Sequence, residues 1–209
     1  LETVLKDDHV TLKNPANLTF SFTPSFYASL RDFIPCLAGS NIAAASSMRL
    51  MIDQIDIPIK DSSLDLANLS CAAKISTSPM TLLQGSQPIL SLDSSTFAVN
   101  STALNDKLQI SGTLIASSNK VLDFQADIFG ALNNDSRFQS TVHAQSLPLA
   151  CINCFSSPTF KLTEILGPTL DNLDLQTSYG NGKGSITGKL QTPQLKITNL
   201  NAKFAEGIT

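Results

Sequence analysis

The sequence predicts a mainly β protein, in which long curved antiparallel sheets form a groove or an open sandwich and two or three short helices accompany them. Apolar and polar residues alternate over runs of about 9–13 residues in the middle third of the chain, as in half-buried strands. Short clusters of Asn, Asp and Ser separate these runs, which is typical of turns. Charged residues make up only 15% and serine is abundant, so surface polarity without charge favours strands over salt-bridged helices.

The first third of the chain combines short strands with one helix. Alternating patterns predict strands at residues 10–13, 18–22, 48–53 and 69–75. The helix is predicted at residues 25–33, because this segment follows a Thr-Pro pair and ends before Pro35. Its apolar stripe consists of Phe26, Leu30 and Phe33.

The middle third predicts an antiparallel meander. Residues 107–117, 120–132 and 137–145 each alternate cleanly, and the segment at residues 89–99 has a less regular phase that indicates a bulged strand. Because alternate side chains of a strand point to one side, the apolar positions of the meander share a face. These positions are Leu108, Ile110, Leu114, Leu122, Phe124, Ile128, Phe138 and Val142.

This shared face is the candidate binding site for an apolar ligand. Strands of this length with a continuous apolar side need either a covering layer or an apolar ligand, and two short helices are small for so wide a sheet. Ordinary core packing beneath the helices or a second sheet is the alternative for the same residues.

The last third predicts a second helix and a hairpin. Residues 158–166 carry a helical apolar pattern that Gly167 and Pro168 close. Strands are predicted at residues 170–179, 184–190 and 195–204, and Asn181-Gly182 between the first two is a strong hairpin signal.

Four cysteines are present, at Cys36, Cys71, Cys151 and Cys154. The last two form a CxxC, but neither histidine stands at the spacing of a zinc finger and the flanking residues are not those of a thioredoxin-type site. We therefore expect buried thiols or a structural disulfide, and no bound metal.

The charge and the motifs of the sequence argue against several classes of function. The net charge of −3, with basic residues scattered singly, gives no electrostatic footprint for nucleic acid. No catalytic motif is present; His143 is expected on the solvated side of a strand, and His9 is expected at the surface, where the chain leads into a strand. We expect a protein that is not an enzyme and has no cofactor.

Both ends of the chain carry phrases typical of a known family. Near the C-terminus a strand ends in a nonpolar-x-nonpolar-x-Asn-Leu-x-Ala phrase followed by Gly-x-nonpolar, and near the N-terminus a strand, a proline, a second strand and Thr23-Pro24 lead into the first helix. The C-terminal positions are Leu195, Ile197, Asn199, Leu200, Ala202, Gly207 and Ile208. These phrases resemble the AsmA-like superfamily of bacterial envelope proteins, of the TamB and YhdP type.

The resemblance implies long sheets curled into an apolar groove, in proteins that are anchored in the inner membrane and cross the periplasm. Such proteins are thought to move or shield phospholipids between membranes. We therefore expect a lipid-binding or lipid-conducting module of the bacterial cell envelope, with phospholipid and other envelope proteins as partners and with membrane attachment through segments outside this chain.

The expected domain organisation follows from the same resemblance. We expect residues 1–209 to be one β-rich module cut from a longer repetitive protein, with residues 80–88 as the place where it could subdivide. A structural or adhesive extracellular β-sandwich that binds protein is the rival hypothesis, because serine-rich strands without an obvious site suit it equally.

Overall fold

A computed structural model describes residues 2–33, 40–153 and 162–205, and within them the chain is mainly β. The predicted fold class is confirmed, because long antiparallel strands dominate and the helices are short. One large sheet contains β1 (Thr3–Lys6), β2 (His9–Leu12), β3 (Ala16–Phe22), β5 (Ser46–Lys60), β6 (Ser63–Leu64), β7 (Ser70–Thr77), β10 (Ser94–Ala103), β11 (Lys107–Ala116), β12 (Asn119–Phe129), β13 (Arg137–Pro148), β14 (Thr169–Gly180), β15 (Lys183–Gln191) and β16 (Lys196–Ala205).

The large sheet has a simple order. Its strands follow one another as β1-β2-β5-β7-β10-β11-β12-β13-β14-β15-β16, and every pair along this path is antiparallel. Strand β5 is long enough to pair along one edge first with β3 and then with β2, and its last residues pair with β6 along the other edge. In the described part of the chain β1 and β16 do not pair with each other, so the sheet is open at both edges.

A second, smaller sheet lies beside the large one. It consists of β4 (Ser40–Ile42), β8 (Met80–Gln84) and β9 (Gln87–Leu92), in the order β4-β8-β9. The helices are α1 (Pro24–Phe33), α2 (Ala150–Asn153) and α3 (Leu162–Leu166), and a 3-10 turn spans Leu66–Asn68. Residues 80–88, where a subdivision was expected, form most of the β8–β9 hairpin.

These additions are concentrated at one end of the large sheet, which we call the capped end. Helix α1 and β4 connect β3 to β5, the β8–β9 hairpin connects β7 to β10, and α2 and α3 lie between β13 and β14. The opposite end, here called the open end, carries the turns β10–β11, β12–β13 and β14–β15, together with the β5–β7 connection, which contains β6 and the 3-10 turn. The small sheet and all three helices of the described residues are therefore in connections at the capped end.

Tight turns join several of the hairpins. Asn181 and Gly182 have φ values of 53° and 67°, and Ser117 and Ser118 have values of 51° and 62°. Two consecutive positive φ values in a two-residue loop match the right-handed twist of the flanking strands. The predicted Asn-Gly hairpin is therefore confirmed.

The structure divides one predicted strand between two sheets. Residues 89–99 do not form one bulged strand, because the chain leaves the small sheet at Leu92 and enters the large sheet at Ser94. Asp93 marks this corner, where its backbone N–H donates to the Ile115 carbonyl and its carboxylate accepts from the Ser118 N–H at 2.7 Å. The irregular apolar phase reflects a change of sheet.

Helix α1 is confirmed, but the aromatic side chain that it buries is not the predicted one. The Thr23 hydroxyl accepts a hydrogen bond from the Phe26 N–H at 3.1 Å, which caps the helix. Phe26, expected on the buried stripe, is 46% exposed, whereas Tyr27 is buried and its hydroxyl lies 2.5 Å from that of Ser40. Nothing is described of the side chains of Leu30 and Phe33. Of the second predicted helix, residues 162–166 are helical and residues 158–161 lie outside the described part.

The core lies at the capped end. One cluster of buried residues joins the small sheet to the large one, and Phe22, Tyr27 and Ile42 form a second cluster beneath α1. The buried residues of the first cluster are Leu90, Leu92, Ala116, Val121, Ala144, Leu147, Leu149 and Leu170.

Truncation of this core should destabilise the protein strongly. Leu149 is 2% exposed, so Leu149→Ala leaves a cavity and is expected to lower the free energy of unfolding by about 2–5 kcal/mol. The matched control Leu64→Ala, at a side chain that is 54% exposed, should change it by less than about 0.5 kcal/mol. Urea unfolding followed by circular dichroism measures both, and equal effects would contradict this location of the core.

Candidate functional site

The large sheet has one apolar side, which we call the apolar face. Across the central strands the pairing Val99–Ile110–Ala126 forms one row, and Phe97–Gly112–Phe124–Val142–Leu175 forms the next. At the open end a further row is formed by Ile55, Cys71, Ser101, Leu108, Ile128, Phe138, Tyr179, Gly184 and Phe204. The antiparallel register therefore joins the alternate positions of separate strands into one continuous surface.

The structure places all eight sequence-predicted site residues on this face, in two environments. Leu114 and Leu122 pack against the buried cluster at the capped end and are part of the core. The other six are half-buried and belong to neither core cluster of the described residues. They are Leu108, Ile110, Phe124, Ile128, Phe138 and Val142.

Sequence analysis missed several further members of this face. Phe97 and Val99 on β10 are 40% and 37% exposed, and Phe204 on β16 is 47% exposed. Each lies in a row with the predicted residues through cross-strand pairing. Their own strands alternate, but alternation within a strand does not reveal which other strands it will adjoin.

The hydroxyl groups on the apolar face are paired with protein atoms. The Thr77 and Ser95 hydroxyls lie 2.8 Å apart, and those of Ser140 and Thr177 lie 2.7 Å apart. The Ser101 hydroxyl donates to the Lys107 carbonyl at 3.0 Å. Because these groups already have partners, they do not demand water, and the face behaves as an apolar surface despite its serines.

Aromatic rings cover glycines on the apolar face at two places. Phe97 and Phe124 flank Gly112 on neighbouring strands with ring centroids 6.3 Å apart, and a Cβ at Gly112 would lie 2.8 Å from a ring atom of Phe97. Tyr179 and Phe204 are stacked at 6.3 Å on either side of Gly184 in the same way. Glycine therefore leaves room for ring atoms that the Cβ of any other residue would displace.

The opposite side, here called the polar face, carries carboxylates held by neighbours. The Thr113 hydroxyl donates to Asp123 at 2.6 Å and Lys120 lies 3.4 Å from the same carboxylate. These contacts, chiefly the hydroxyl, lower the pKa of Asp123. Lys107, which bonds Asp127 at 2.9 Å, is the main cause of the lowered pKa of that carboxyl.

The two histidines also lie beside carboxylates. His143 Nδ1 is 3.3 Å from Asp174, and His9 Nδ1 is 2.6 Å from Asp56. His143 is on the polar face, as its strand phase predicted. In the described residues no group of three or more His, Cys, Asp or Glu side chains is arranged to hold a metal ion.

The cysteines are described in part. Cys71 has a free thiol on the apolar face, and burial raises its pKa, so it stays protonated and apolar at neutral pH. Cys151 is half-buried against the core cluster at the capped end. Cys36 and Cys154 lie outside the described residues, so the expected disulfide and the CxxC geometry stay predictions.

Comparison with known proteins does not assign the chain. No protein-family model, curated protein or solved structure matches it. The resemblance of its two ends to AsmA-like proteins therefore stays a hypothesis. Within the described residues, none of the helices is long and apolar enough for a membrane crossing.

The packing of rings over Gly112 can be tested by adding one methyl group. Gly112→Ala should displace the rings of Phe97 and Phe124 and lower the free energy of unfolding by about 1 kcal/mol. The control Ser111→Ala, one residue away on the polar face, should change it by less than about 0.5 kcal/mol. Urea unfolding measures the stability, and unaltered ring-proton shifts in the NMR spectrum of the Gly112 variant would contradict the arrangement.

The hydrogen bond from Thr113 makes stability depend on pH. A carboxyl whose pKa is lowered by folding stabilises the protein above its unfolded pKa of about 3.9, and this contribution is lost as the pH falls through the lower folded pKa. Thr113→Val should therefore be less stable than the parent at neutral pH. The gap, meaning the difference in the free energy of unfolding between parent and variant, should narrow below about pH 4. Denaturant unfolding over a pH series measures the gap.

A control separates this effect from loss of the hydroxyl itself. Thr19 is exposed on the polar face opposite Arg49 and faces no carboxylate across the strand pair. Thr19→Val should therefore show a gap that does not narrow in acid. A constant gap for Thr113→Val would contradict the stated role of Asp123.

Proposed function

We propose that this chain is a non-enzymatic lipid-binding module whose apolar face holds the acyl chains of phospholipids. The observation that carries the proposal is that the apolar face extends well beyond the elements that pack on it. Rows of apolar side chains run from β5 to β16, whereas the core clusters of the described residues occupy the capped end. Large exposed apolar surfaces of this kind mark ligand or partner sites.

The dimensions of the uncovered surface suit acyl chains. Strands spaced by about 4.8 Å make the path of the large sheet roughly 50 Å wide, and the uncovered rows extend about 15 Å along each strand. One leaflet of the ~30 Å hydrocarbon core of a bilayer has a similar depth of about 15 Å. Several acyl chains could therefore lie side by side on this face.

The chemistry of the face suits the same ligand. The hydroxyls are already hydrogen-bonded to protein atoms, and the aromatic rings beside Gly112 and Gly184 offer apolar contact. Each CH₂ group that moves from water onto such a surface contributes about 0.8 kcal/mol. A lipid acyl chain gains from burial over its whole length, which a folded polar partner surface would not.

The resemblance at the two ends gives the proposal a setting. In AsmA-like proteins, strands of this kind are part of envelope proteins thought to move or shield phospholipids. We therefore place the module in the bacterial cell envelope, where it would bind or conduct phospholipid between membranes, attached to the membrane through segments outside this chain. The open edges at β1 and β16 are compatible with a sheet that continues into neighbouring segments.

A matched pair of charge substitutions tests the ligand. Val99→Asp puts a carboxylate on the apolar face, whereas Ala98→Asp puts one on the opposite side of the same strand. Native mass spectrometry of the purified chain should find phospholipid bound to the parent and to Ala98→Asp, and should find it lost from Val99→Asp. A burial-sensitive fluorescent fatty acid should follow the same pattern.

Two further substitutions probe the centre of the face. Phe124→Asp and Ile128→Asp should abolish lipid binding, and Gln125→Asp on the same strand should preserve it, with circular dichroism to show that each variant is folded. A parent protein that is free of lipid and does not bind the fluorescent fatty acid would overturn the proposal. Co-purification of a protein partner in its place would support the structural or adhesive module.

A further inference from the structure

The polar face contains a shallow pocket of about 280 Å³ that none of the chemistry above uses. It lies over β12, β13, β14 and β15, on the side of the sheet opposite to the proposed lipid site. Two adjacent rows of cross-strand neighbours form it. The first row is Gln125, Thr141, Gln176 and Thr187, and the second is Asp127, Gln139, Ser178 and Ser185.

The shape of the pocket follows from the residue sizes. Three long glutamine side chains, at positions 125, 139 and 176, stand around the short side chains of Thr141 and Ser178. Because the glutamines occupy staggered positions in the two rows, the short residues between them form a depression in an otherwise even strand surface. Alternating amides and hydroxyls thus make a concave site without a loop.

The polar groups in the pocket are available to a ligand. The side chains of Gln139, Gln176, Thr141 and Thr187 make no hydrogen bond to another described residue. Ser178 and Ser185 bond each other at 2.8 Å, and each hydroxyl keeps further hydrogen-bonding capacity. Amides and hydroxyls both donate and accept, so the pocket can satisfy a ligand that also does both.

The pocket is close to neutral. Asp127 is the charged residue of its lining, and that carboxylate is bonded by Lys107 at 2.9 Å and by the Gln109 amide at 3.0 Å. The charged row that contains Asp123, His143, Asp174 and Lys189 lies beyond the pocket, toward the capped end. An anionic ligand would therefore find no cation in the lining, and a cationic one would compete with Lys107 for Asp127, whereas a neutral ligand needs no counter-ion.

We propose that this pocket binds a neutral polyhydroxylated ligand, the unit of a glycan. Sugar hydroxyls act as donors and acceptors at short spacing, which the two rows of amides and hydroxyls match. The site is independent of lipid binding, because it lies on the other side of the same strands. The chain would then contact a glycan and a lipid on its two faces.

The test uses purified chain and defined sugars. Methyl α-D-mannoside, methyl β-D-galactoside and N-acetylglucosamine are titrated separately into ¹⁵N-labelled protein, with cyclohexanol as a probe of similar size and a single hydroxyl. At least one sugar should shift the amide signals of Thr141, Gln176 and Thr187, and cyclohexanol should not. Thr141→Val and Gln176→Leu should each weaken that binding by up to about tenfold, since each removes one hydrogen bond.

Controls keep the proposal distinguishable from the lipid proposal. Thr96→Val and Gln145→Leu make the same chemical changes at strand positions outside the pocket lining and should retain sugar binding. Val99→Asp should lose lipid and retain sugar. Absence of shifts with every sugar, or shifts that Thr141→Val and Gln176→Leu leave unchanged, would overturn the proposal and leave the lipid proposal unaffected.

Discussion

Antiparallel register is the constraint on which the rest of this molecule depends. Side chains alternate sides along each strand, so the pairing of neighbours decides whether apolar positions of different strands meet on one side. Here Gly112 opposite Phe124 and Phe124 opposite Val142 continue the same side through three strands. A slip of one residue in one strand would put its apolar positions among the carboxylates of the polar face.

This register produces an apolar face that is larger than the area that the small sheet and the helices cover. The small sheet and helices α1, α2 and α3 arise from connections at one end, because the meander returns to that end on every second strand. The core forms there, around Leu149 and Leu90. At the other end the connections are turns, apart from the short β6 and the 3-10 turn between β5 and β7, and residues such as Leu108 and Phe138 stay half-buried.

The polar side chains of the two faces are hydrogen-bonded in different ways. On the apolar face, hydroxyls bond to one another or to the backbone, as in the Ser140–Thr177 pair, and the face needs no water. On the polar face, carboxylates such as Asp123 and Asp127 are bonded by neighbours, while the glutamines and threonines between them keep free hydrogen-bonding capacity. A single layer of strands can thus present two chemically distinct surfaces.

The sequence by itself determined the mainly β class, the meander over β11 to β13, the Asn181-Gly182 hairpin and the face shared by Leu108, Phe124 and Phe138, because these depend on alternation and turn chemistry within short segments. It did not reveal that residues 89–99 divide between two sheets, or that Leu114 and Leu122 belong to the core whereas Phe97 and Val99 join the open surface. Those outcomes depend on which distant segments pair and which end of the sheet receives the added elements. The tertiary structure alone decided them, because local alternation is identical for a covered strand and an uncovered one.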